Sequence, residues 1–134
     1  MFRAIQRLGR RFVWIGNKRH DPGVVHLRYQ MGMEGFTSGM ANCLPERELR
    51  MHEAAVASDW NEVIRLQSLN AELERAGDSS DDAAKVKASM DAVGLHGGRV
   101  RPPRRDVPRT TRARLRRAID ALVATLDESG VTER

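Results

Sequence analysis

One short stretch, residues 32–46, constrains the fold more than any other part of the chain: Gly-Met-Glu-Gly-Phe-Thr-Ser-Gly-Met-Ala-Asn-Cys-Leu-Pro-Glu. Gly35 precedes a strand-like run that starts at Phe36, and Gly39 then marks a turn. Pro45 suits the first turn of a helix, because proline lacks only a donor that would be unpaired there anyway. Small side chains at the carboxyl end of a strand let a ligand approach the backbone. The stretch therefore predicts a loop, a strand, a turn and a helix around a candidate ligand site.

A continuous apolar run lies before that stretch. Residues 12–15, Phe-Val-Trp-Ile, are rich in strand-forming side chains and are followed by Gly16, which is typical of a strand buried on both faces of a parallel sheet. A short helical pattern, residues 24–31, separates this run from the strand at Phe36. Strand, helix and strand predict a βαβ unit with two parallel strands and a right-handed crossover. Because two strands alone would leave both edges open, the predicted sheet is incomplete within this chain.

Helical spacing dominates the remainder of the sequence. Residues 2–8 predict a short helix before the first strand, and four helices are predicted after Pro45. Their apolar positions are Leu49 and Val56; Trp60, Val63, Ile64, Leu66, Leu69 and Leu73; Val86, Met90 and Val93; and Leu115, Ile119, Leu122 and Leu126.

Local signals predict where those helices begin and end. Residues 59–62 have the form of a capping box, and we expect Ser79 or Ser80 to cap the third of the four helices. Residues 99–105 should be extended, because they contain two prolines that cannot lie inside a helix. Residues 129–134 are expected to fray.

Length and composition narrow the classes of protein. A chain of 134 residues predicts one domain with a moderate core, and its 40% of hydrophobic residues include no run long enough to span a bilayer. The first ten residues are basic and lack the apolar segment of a signal peptide, so we expect a cytoplasmic protein without membrane contact. Cys43 is the only cysteine, which excludes an intrachain disulfide and a cysteine-built zinc site.

Individual side chains do not indicate catalysis or metal binding. Thr37, Ser38 and Gly39 lack the flanking pattern of a hydrolase nucleophile elbow, and Cys43 has no identifiable base partner. No pair of histidines has the spacing of metal ligands on a helix, so neither a metal nor an organic cofactor is predicted. The histidines are His20, His26, His52 and His96.

The net charge of +5 raises the alternative of a helical interaction module that binds nucleic acid through the basic segment from Arg99 to Arg117. This segment has no interleaved aromatic residues, and arginine supplies nearly all of the positive charge of the chain. A solvated surface is therefore the preferred interpretation, and nucleic acid is not an expected partner.

Four segments, taken in order, resemble the dihydrodipicolinate synthase / N-acetylneuraminate lyase family. Residues 32–46 resemble its last barrel strand and the following helix, and residues 12–16, Phe-Val-Trp-Ile-Gly, are similar to its seventh strand. Residues 57–60, Ala-Ser-Asp-Trp, are similar to the break between two of its C-terminal helices. Residues 86–103, which end in Gly-Gly-Arg-Val-Arg-Pro-Pro, resemble its C-terminal signature most specifically. The resemblance covers nearly the whole chain.

The resemblance implies an α/β fold, namely the C-terminal portion of a (β/α)8 barrel. It implies about two parallel strands followed by a C-terminal helical bundle, with helices dominating. The expected organisation is the last two βα units of the barrel in residues 1–45, the C-terminal helices in residues 46–128 and a frayed tail in residues 129–134.

The resemblance also implies a lyase or dehydratase acting on pyruvate or a related 2-oxo acid. Family members form a Schiff base through a lysine on the sixth strand, use a tyrosine on an earlier strand to shuttle protons, and build the site at the carboxyl ends of the strands. By this comparison the chain begins after the sixth strand. We therefore expect no catalytic residue in it and no activity of the chain alone.

The matched positions that would line the substrate pocket are Gly16 or Asn17 at the seventh strand and Thr37 with Ser38 at the eighth. Thr37 falls where the family has a residue that touches the oxo acid. Three alternatives stay open for the chain itself: a truncated or frame-broken remnant, one half of a split enzyme completed by a partner chain, or, from a different class, the helical interaction module described above. The expected partner is the missing N-terminal half of the barrel or another copy of the chain in a homo-oligomer.

Overall fold

The structure is a computed structural model that describes residues 2–17, 23–77 and 81–127. Helices dominate this part of the chain. In order, the elements are α1 (Phe2–Leu8), β1 (Ile15–Asn17), α2 (Val25–Gln30), β2 (Gly35–Thr37), α3 (Pro45–Val56), α4 (Trp60–Ala76), α5 (Asp82–Ala92) and α6 (Arg109–Asp127). Single 3-10 turns follow α1 and β2.

The two strands are parallel neighbours joined through helix α2, as the sequence predicts. Gly16 is the register partner of Phe36, and Asn17 is the register partner of Thr37. Just before the strands, the backbone N–H of Glu34 donates to the carbonyl of Trp14 at 2.8 Å. The βαβ unit is thus confirmed, and it aligns the carboxyl ends of both strands.

The predicted position and burial of the first strand are wrong. The strand begins at Ile15 rather than Phe12, and the side chains of Phe12, Val13 and Ile15 are 51%, 71% and 59% exposed. The physical reason is that the sheet of the described residues has only two strands, and helix α2 covers one of its faces. A strand needs layers on both sides to be buried on both faces.

Alternation along the strands assigns each side chain to a face. Successive strand residues point to opposite faces. Phe36 lies against the α2 helix, with its ring 6.4 Å from that of Tyr29, and the missing side chain of Gly16 would point toward α2 as well. Ile15, Asn17 and Thr37 therefore lie on the other face. We call this other face, together with Val13 two residues before Ile15, the open sheet face.

The core consists of two apolar clusters that share helix α4. One cluster joins α2, α3 and the first half of α4, and it contains Val25, Met51, Ala55, Val63 and Leu66. The other joins the second half of α4 to α5 and α6, and its largest buried members include Leu73, Leu115, Ile119 and Leu122. The helical bundle thus packs directly behind the βαβ unit. The division of the chain at residues 45 and 46 stays a prediction.

Helix ends follow their capping chemistry. Asp59 accepts a hydrogen bond from the backbone N–H of Glu62 at 3.1 Å, which confirms the predicted start of α4. Asp81 caps α5 by accepting from the N–H groups of Ala83 and Ala84 at 2.9 and 3.2 Å. The predicted cap at Ser79 or Ser80 is wrong, because the Asp81 carboxylate already satisfies those donors. Ser79, Ser80 and the tail 129–134 lie outside the described residues.

The segment that resembles the family signature joins α5 to α6. Lys87 Nζ donates to the carbonyl of Gly97 at 2.6 Å, and Asp91 accepts from the N–H of Gly97 at 2.9 Å. The other carboxylate oxygen of Asp91 pairs with Arg112 at 2.6 Å. Residues 99–105 are not helical, but the prediction that they are extended throughout is wrong, because they contain a turn in which the N–H of Arg104 donates to the carbonyl of Arg101 at 3.1 Å. The signature residues therefore hold a non-helical connection in place.

Candidate functional site

The candidate site lies where β1 and β2 end. Asn17 and Thr37 are register partners at the last position of each strand, and both side chains are exposed on the open sheet face. A carboxamide and a hydroxyl can both donate to and accept from a ligand. The arrangement places two such groups side by side at one edge of the sheet.

Gly16 lies on the opposite, helix-covered face. A Cβ atom at Gly16 would lie 2.9 Å from the sulfur of Met33 and 3.2 Å from Cδ of Arg28. The absence of a side chain lets Arg28 pass beneath the strand, where its Nη1 donates to the carbonyl of Asn17. Gly16 therefore provides space for packing, and the backbone of Asn17 is held from behind.

Ser38 shapes the turn after β2. Its hydroxyl oxygen accepts a hydrogen bond of 3.1 Å from the backbone N–H of Met40, which begins the 3-10 turn Met40–Asn42. Gly39 packs against α5, because a Cβ atom there would lie 2.9 Å from Cγ2 of Val86. The helical bundle thus supports the turn that carries the predicted site residues.

Cys43 lies below this turn and is unsuited to act as a nucleophile. Its thiol is buried and donates to the carbonyl of Met40 at 3.3 Å. Burial, aided by the nearby charge of Glu48, raises the pKa of the Cys43 thiol to about 11. A thiol with that pKa carries little of the reactive thiolate at neutral pH.

The described lysines and the tyrosine are engaged elsewhere. Lys85 pairs with Asp82 at 2.9 Å, and Lys87 donates to Gly97. The hydroxyl of Tyr29 lies 2.6 Å from Nδ1 of His52, between α2 and α3, and burial raises the pKa of Tyr29. Lys18 lies outside the described residues.

Within residues 2–17, 23–77 and 81–127, no group of three or more His, Cys, Asp or Glu side chains is placed to hold a metal ion. No helix among these residues is long and apolar enough to cross a bilayer.

The basic segment from Arg99 to Arg117 is partly neutralised by aspartates. Four of its arginines form ion pairs with Asp106, Asp81, Asp91 and Asp120. These are the pairs expected of a solvated surface, where each is worth little individually.

Arg28 and Met33, which lie beneath the site, are not among the residues predicted from the sequence to form it. Both lie against Gly16, and only the folded crossover brings α2 and the loop after it beneath the strand. The available signal was weak: a glycine at the end of an apolar run indicates that another group approaches closely, but not which group.

Comparison with curated proteins gives one similar relative. The chain is 30% identical over 121 residues to a probable 5-dehydro-4-deoxyglucarate dehydratase of Methylobacterium radiotolerans. The alignment covers 86% of this chain and 39% of the relative. No protein-family model matches the chain.

Solved structures share the fold at lower sequence identity. A 2-keto-3-deoxygluconate aldolase of Sulfolobus sulfataricus, in complex with D-KDPG, superposes with a TM-score of 0.79 at 18% identity and covers 99% of this chain. A dihydrodipicolinate synthase of Bacillus clausii superposes with a TM-score of 0.76 at 20% identity and covers 91% of it. The chain spans 45% and 43% of those two proteins, which is less than half of each.

Proposed function

We propose that this chain corresponds to the C-terminal part of an enzyme of the dihydrodipicolinate synthase / N-acetylneuraminate lyase family and supplies one wall of the pocket of a Schiff-base lyase or dehydratase. The substrate class is pyruvate or a related 2-oxo acid. The Schiff-base lysine and the proton-shuttling tyrosine come from βα units outside these residues, and the chain by itself is inactive.

The observation that carries this proposal is the pairing of Asn17 with Thr37. Both exposed polar side chains end parallel strands on the same face, and barrel enzymes build their sites at the carboxyl ends of the strands. A 2-oxo acid presents a carboxylate and a carbonyl oxygen, which both accept hydrogen bonds. The Thr37 hydroxyl and the Asn17 carboxamide are donors of the kind that would orient these oxygens.

Gly16 and Ser38 support the same wall through the backbone. Gly16 leaves room for Arg28 to fix the Asn17 carbonyl, and Ser38 fixes the turn after Thr37 through its bond from Met40. A rigid supporting layer keeps the polar groups in the geometry that binding needs.

The lysines and the tyrosine that the structure describes do not suit Schiff-base chemistry. That chemistry needs an amine that is kept partly neutral by a dry pocket or a cationic neighbour. Lys85 instead forms an ion pair of 2.9 Å with the carboxylate of Asp82, and Nζ of Lys87 donates a hydrogen bond of 2.6 Å to the carbonyl of Gly97. The hydroxyl of Tyr29 is hydrogen-bonded to Nδ1 of His52 within the helix layer.

The names of the relatives support the reaction class. One relative is named as a dehydratase, and the structural neighbours are named as a synthase and an aldolase. No relative supports the nucleic-acid alternative. Ion pairs with aspartates of the same chain, such as Arg99 with Asp106 and Arg112 with Asp91, also neutralise part of the charge of the basic segment. Lyase or dehydratase chemistry is therefore the function that we propose.

A single-chain chimera tests the proposal. The part of the Methylobacterium dehydratase that this chain does not match would be joined to this chain, and pyruvate adducts would be trapped with sodium borohydride. We expect an adduct on the added part, and we expect Thr37→Val to weaken pyruvate binding about 2- to 10-fold, the worth of one hydrogen bond.

The matched control is Thr110→Val, which makes the same change at an exposed position in the first turn of α6. We expect it to leave pyruvate binding unchanged. Equal effects of Thr37→Val and Thr110→Val would contradict the assignment of Thr37 to the pocket, and a chimera without any adduct would contradict the reaction class.

A further inference from the structure

We propose that the basic segment, residues 99–117, is a docking surface for an extended acidic segment of another polypeptide, whose carboxylates pair with arginines that have no ion-pair partner in this chain. The basic segment comprises the connection after α5 and the first turns of α6. The proposal goes beyond the proposed function, because it uses none of the residues assigned to the pocket wall.

The positive charge of the chain is concentrated in the basic segment. This segment holds nine of the 23 basic residues of the chain but only one of its 18 acidic residues, Asp106. Without the segment, acidic residues would outnumber basic ones, so the whole net charge of +5 originates here. A surface with an excess of one sign attracts and steers partners of the opposite sign.

Five of the nine arginines have no carboxylate partner in the part of the chain that the structure describes. The other four pair with aspartates at distances from 2.6 to 3.5 Å. All nine residues are exposed to solvent. The five that remain unpaired are Arg101, Arg105, Arg109, Arg114 and Arg117.

The arrangement differs from the arginine pairs of the other helices. Glu62 on α4 binds both Arg50 and Arg65, at 2.9 and 2.6 Å. On α6, by contrast, Arg114 and Arg117 lie three residues apart, and neither has a carboxylate partner among the described residues. Like charges at this spacing repel each other and weaken a helix. An acidic partner would relieve that repulsion.

The backbone beneath the arginines is held in place before any partner binds. Asp106 accepts a hydrogen bond of 2.9 Å from the N–H of Val100, which closes the connection on itself. Val107 and Thr111 are buried, and the opposite face of α6 packs into the helical bundle. Because the main chain is already ordered, binding does not have to meet the cost of ordering it.

Carboxylate is the partner chemistry that this surface already accepts, since each of the four ion pairs is formed with an aspartate. The planar guanidinium group matches a carboxylate in geometry. The basic segment contains no aromatic residue and exposes no large apolar side chain, so it offers neither a stacking platform for bases nor an apolar anchor. An extended polypeptide carries a side chain about every 3.3 Å, which lets its carboxylates follow the arginines from the connection onto the helix.

The test measures binding of the full 134-residue chain to a fluorescein-labelled peptide of about ten glutamates, which is about 33 Å long when extended. Fluorescence anisotropy would report the affinity. We expect saturable binding at about 20 mM salt that weakens steeply toward about 150 mM, because salt screens exposed charge pairs. The same peptide with glutamine at each glutamate should not bind.

Charge reversal locates the docking surface. Arg109→Glu/Arg117→Glu should weaken binding at least about tenfold, because two ion pairs are lost and two repulsions are added. Glutamate favours the first turn of a helix, where Arg109 lies, so this variant should fold. The matched control is Arg3→Glu/Arg7→Glu, which makes the same change of charge at exposed positions of α1 and should weaken binding less than about threefold.

Arg101→Glu/Arg105→Glu is a second variant, which tests the connection independently of α6 and should weaken binding as much as the α6 variant. Circular dichroism identifies the variants that retain the helical spectrum, and affinities are compared among these.

Equal losses of affinity in the α1 and α6 variants would overturn the proposal, because binding would then follow net charge alone. So would absence of binding to the glutamate peptide at low salt, or equal binding of the glutamine peptide. A DNA duplex that still binds the chain at about 150 mM salt, where the peptide does not, would overturn the choice of a polypeptide partner.

Discussion

Arg47 and Asn70 meet in the buried contact between α3 and α4, where Arg47 Nε donates a hydrogen bond of 2.7 Å to Asn70 Oδ1. The Asn70 amide in turn donates to Glu48 at 3.1 Å, and a second nitrogen of Arg47 donates to Thr125 of α6 at 3.2 Å. Burial lowers the pKa of the Arg47 guanidinium. One polar network thus joins three helices behind the sheet.

Removing the Asn70 side chain should destabilise the fold. Asn70→Ala leaves Arg47 Nε and Glu48 without that partner in a buried place, which costs about 1–3 kcal/mol of unfolding free energy. The measurement is urea unfolding followed by circular dichroism. Asn61→Ala, in the exposed first turn of the same helix, is the control and should change stability by less than about 0.5 kcal/mol. Equal midpoints for the two variants would contradict the structural role of the network.

Gly97 should tolerate no side chain. A Cβ atom there would lie 2.1 Å from the backbone oxygen of Lys87, so Gly97→Ala must displace the connection or the end of α5. We expect a loss of about 1–3 kcal/mol in unfolding free energy. Gly23→Ala, where no atom lies within 4 Å of the added Cβ, is the matched control. A Gly97→Ala variant as stable as Gly23→Ala would show that this contact is absent in solution.

The contribution of the Asp91 carboxylate to folding stability should disappear in acid. The bond from Arg112 chiefly holds the pKa of Asp91 below its ordinary value of 3.8, and the N–H of Gly97 adds to this. A carboxylate with a lowered folded-state pKa stabilises the fold above its unfolded pKa and loses that effect as pH falls through the folded value. The difference in stability between the unaltered chain and Asp91→Asn should therefore be largest near neutral pH and shrink below pH 3.8. A difference that is constant from pH 7 to pH 2 would refute this.

Cys43 should react slowly with thiol reagents in the folded chain. Its pKa of about 11, against an ordinary value of 9.0, reduces the thiolate fraction about 100-fold at pH 8, and burial adds a further barrier. Labelling of the native chain should therefore be at least 100-fold slower than labelling of the same chain in urea. Similar rates in the two conditions would mean that the turn after β2 opens readily.

Periodic patterns in the sequence were sufficient to predict most of the architecture. Helical spacing predicted α1 and α3 to α6, and the capping form at Asp59 predicted the start of α4. The apolar positions predicted for α3 are wrong, however, because Leu49 and Val56 are 56% and 66% exposed and the helix buries Met51 and Ala55 instead. The two short strands and the helix between them predicted the parallel pair. These features depend on local spacing and on backbone donors, which a sequence displays directly.

Other features depend on packing between distant segments. An apolar run alone could not show that Val13 and Ile15 lack a covering layer, because that depends on how many strands the chain contains. Arginine and asparagine are usually found on protein surfaces. Arg47 and Asn70 are buried together only because α3 crosses α4 and α6. The approach of Arg28 to Gly16 likewise requires the folded crossover.

The most direct test of the central claim is intact-mass spectrometry of the isolated 134-residue chain after incubation with pyruvate and sodium borohydride. The claim that the Schiff-base lysine lies outside this chain predicts no more adduct on the folded chain than on the same chain unfolded in urea. A stoichiometric adduct on one lysine of the folded chain alone would contradict that claim, because the chain would then carry its own catalytic amine.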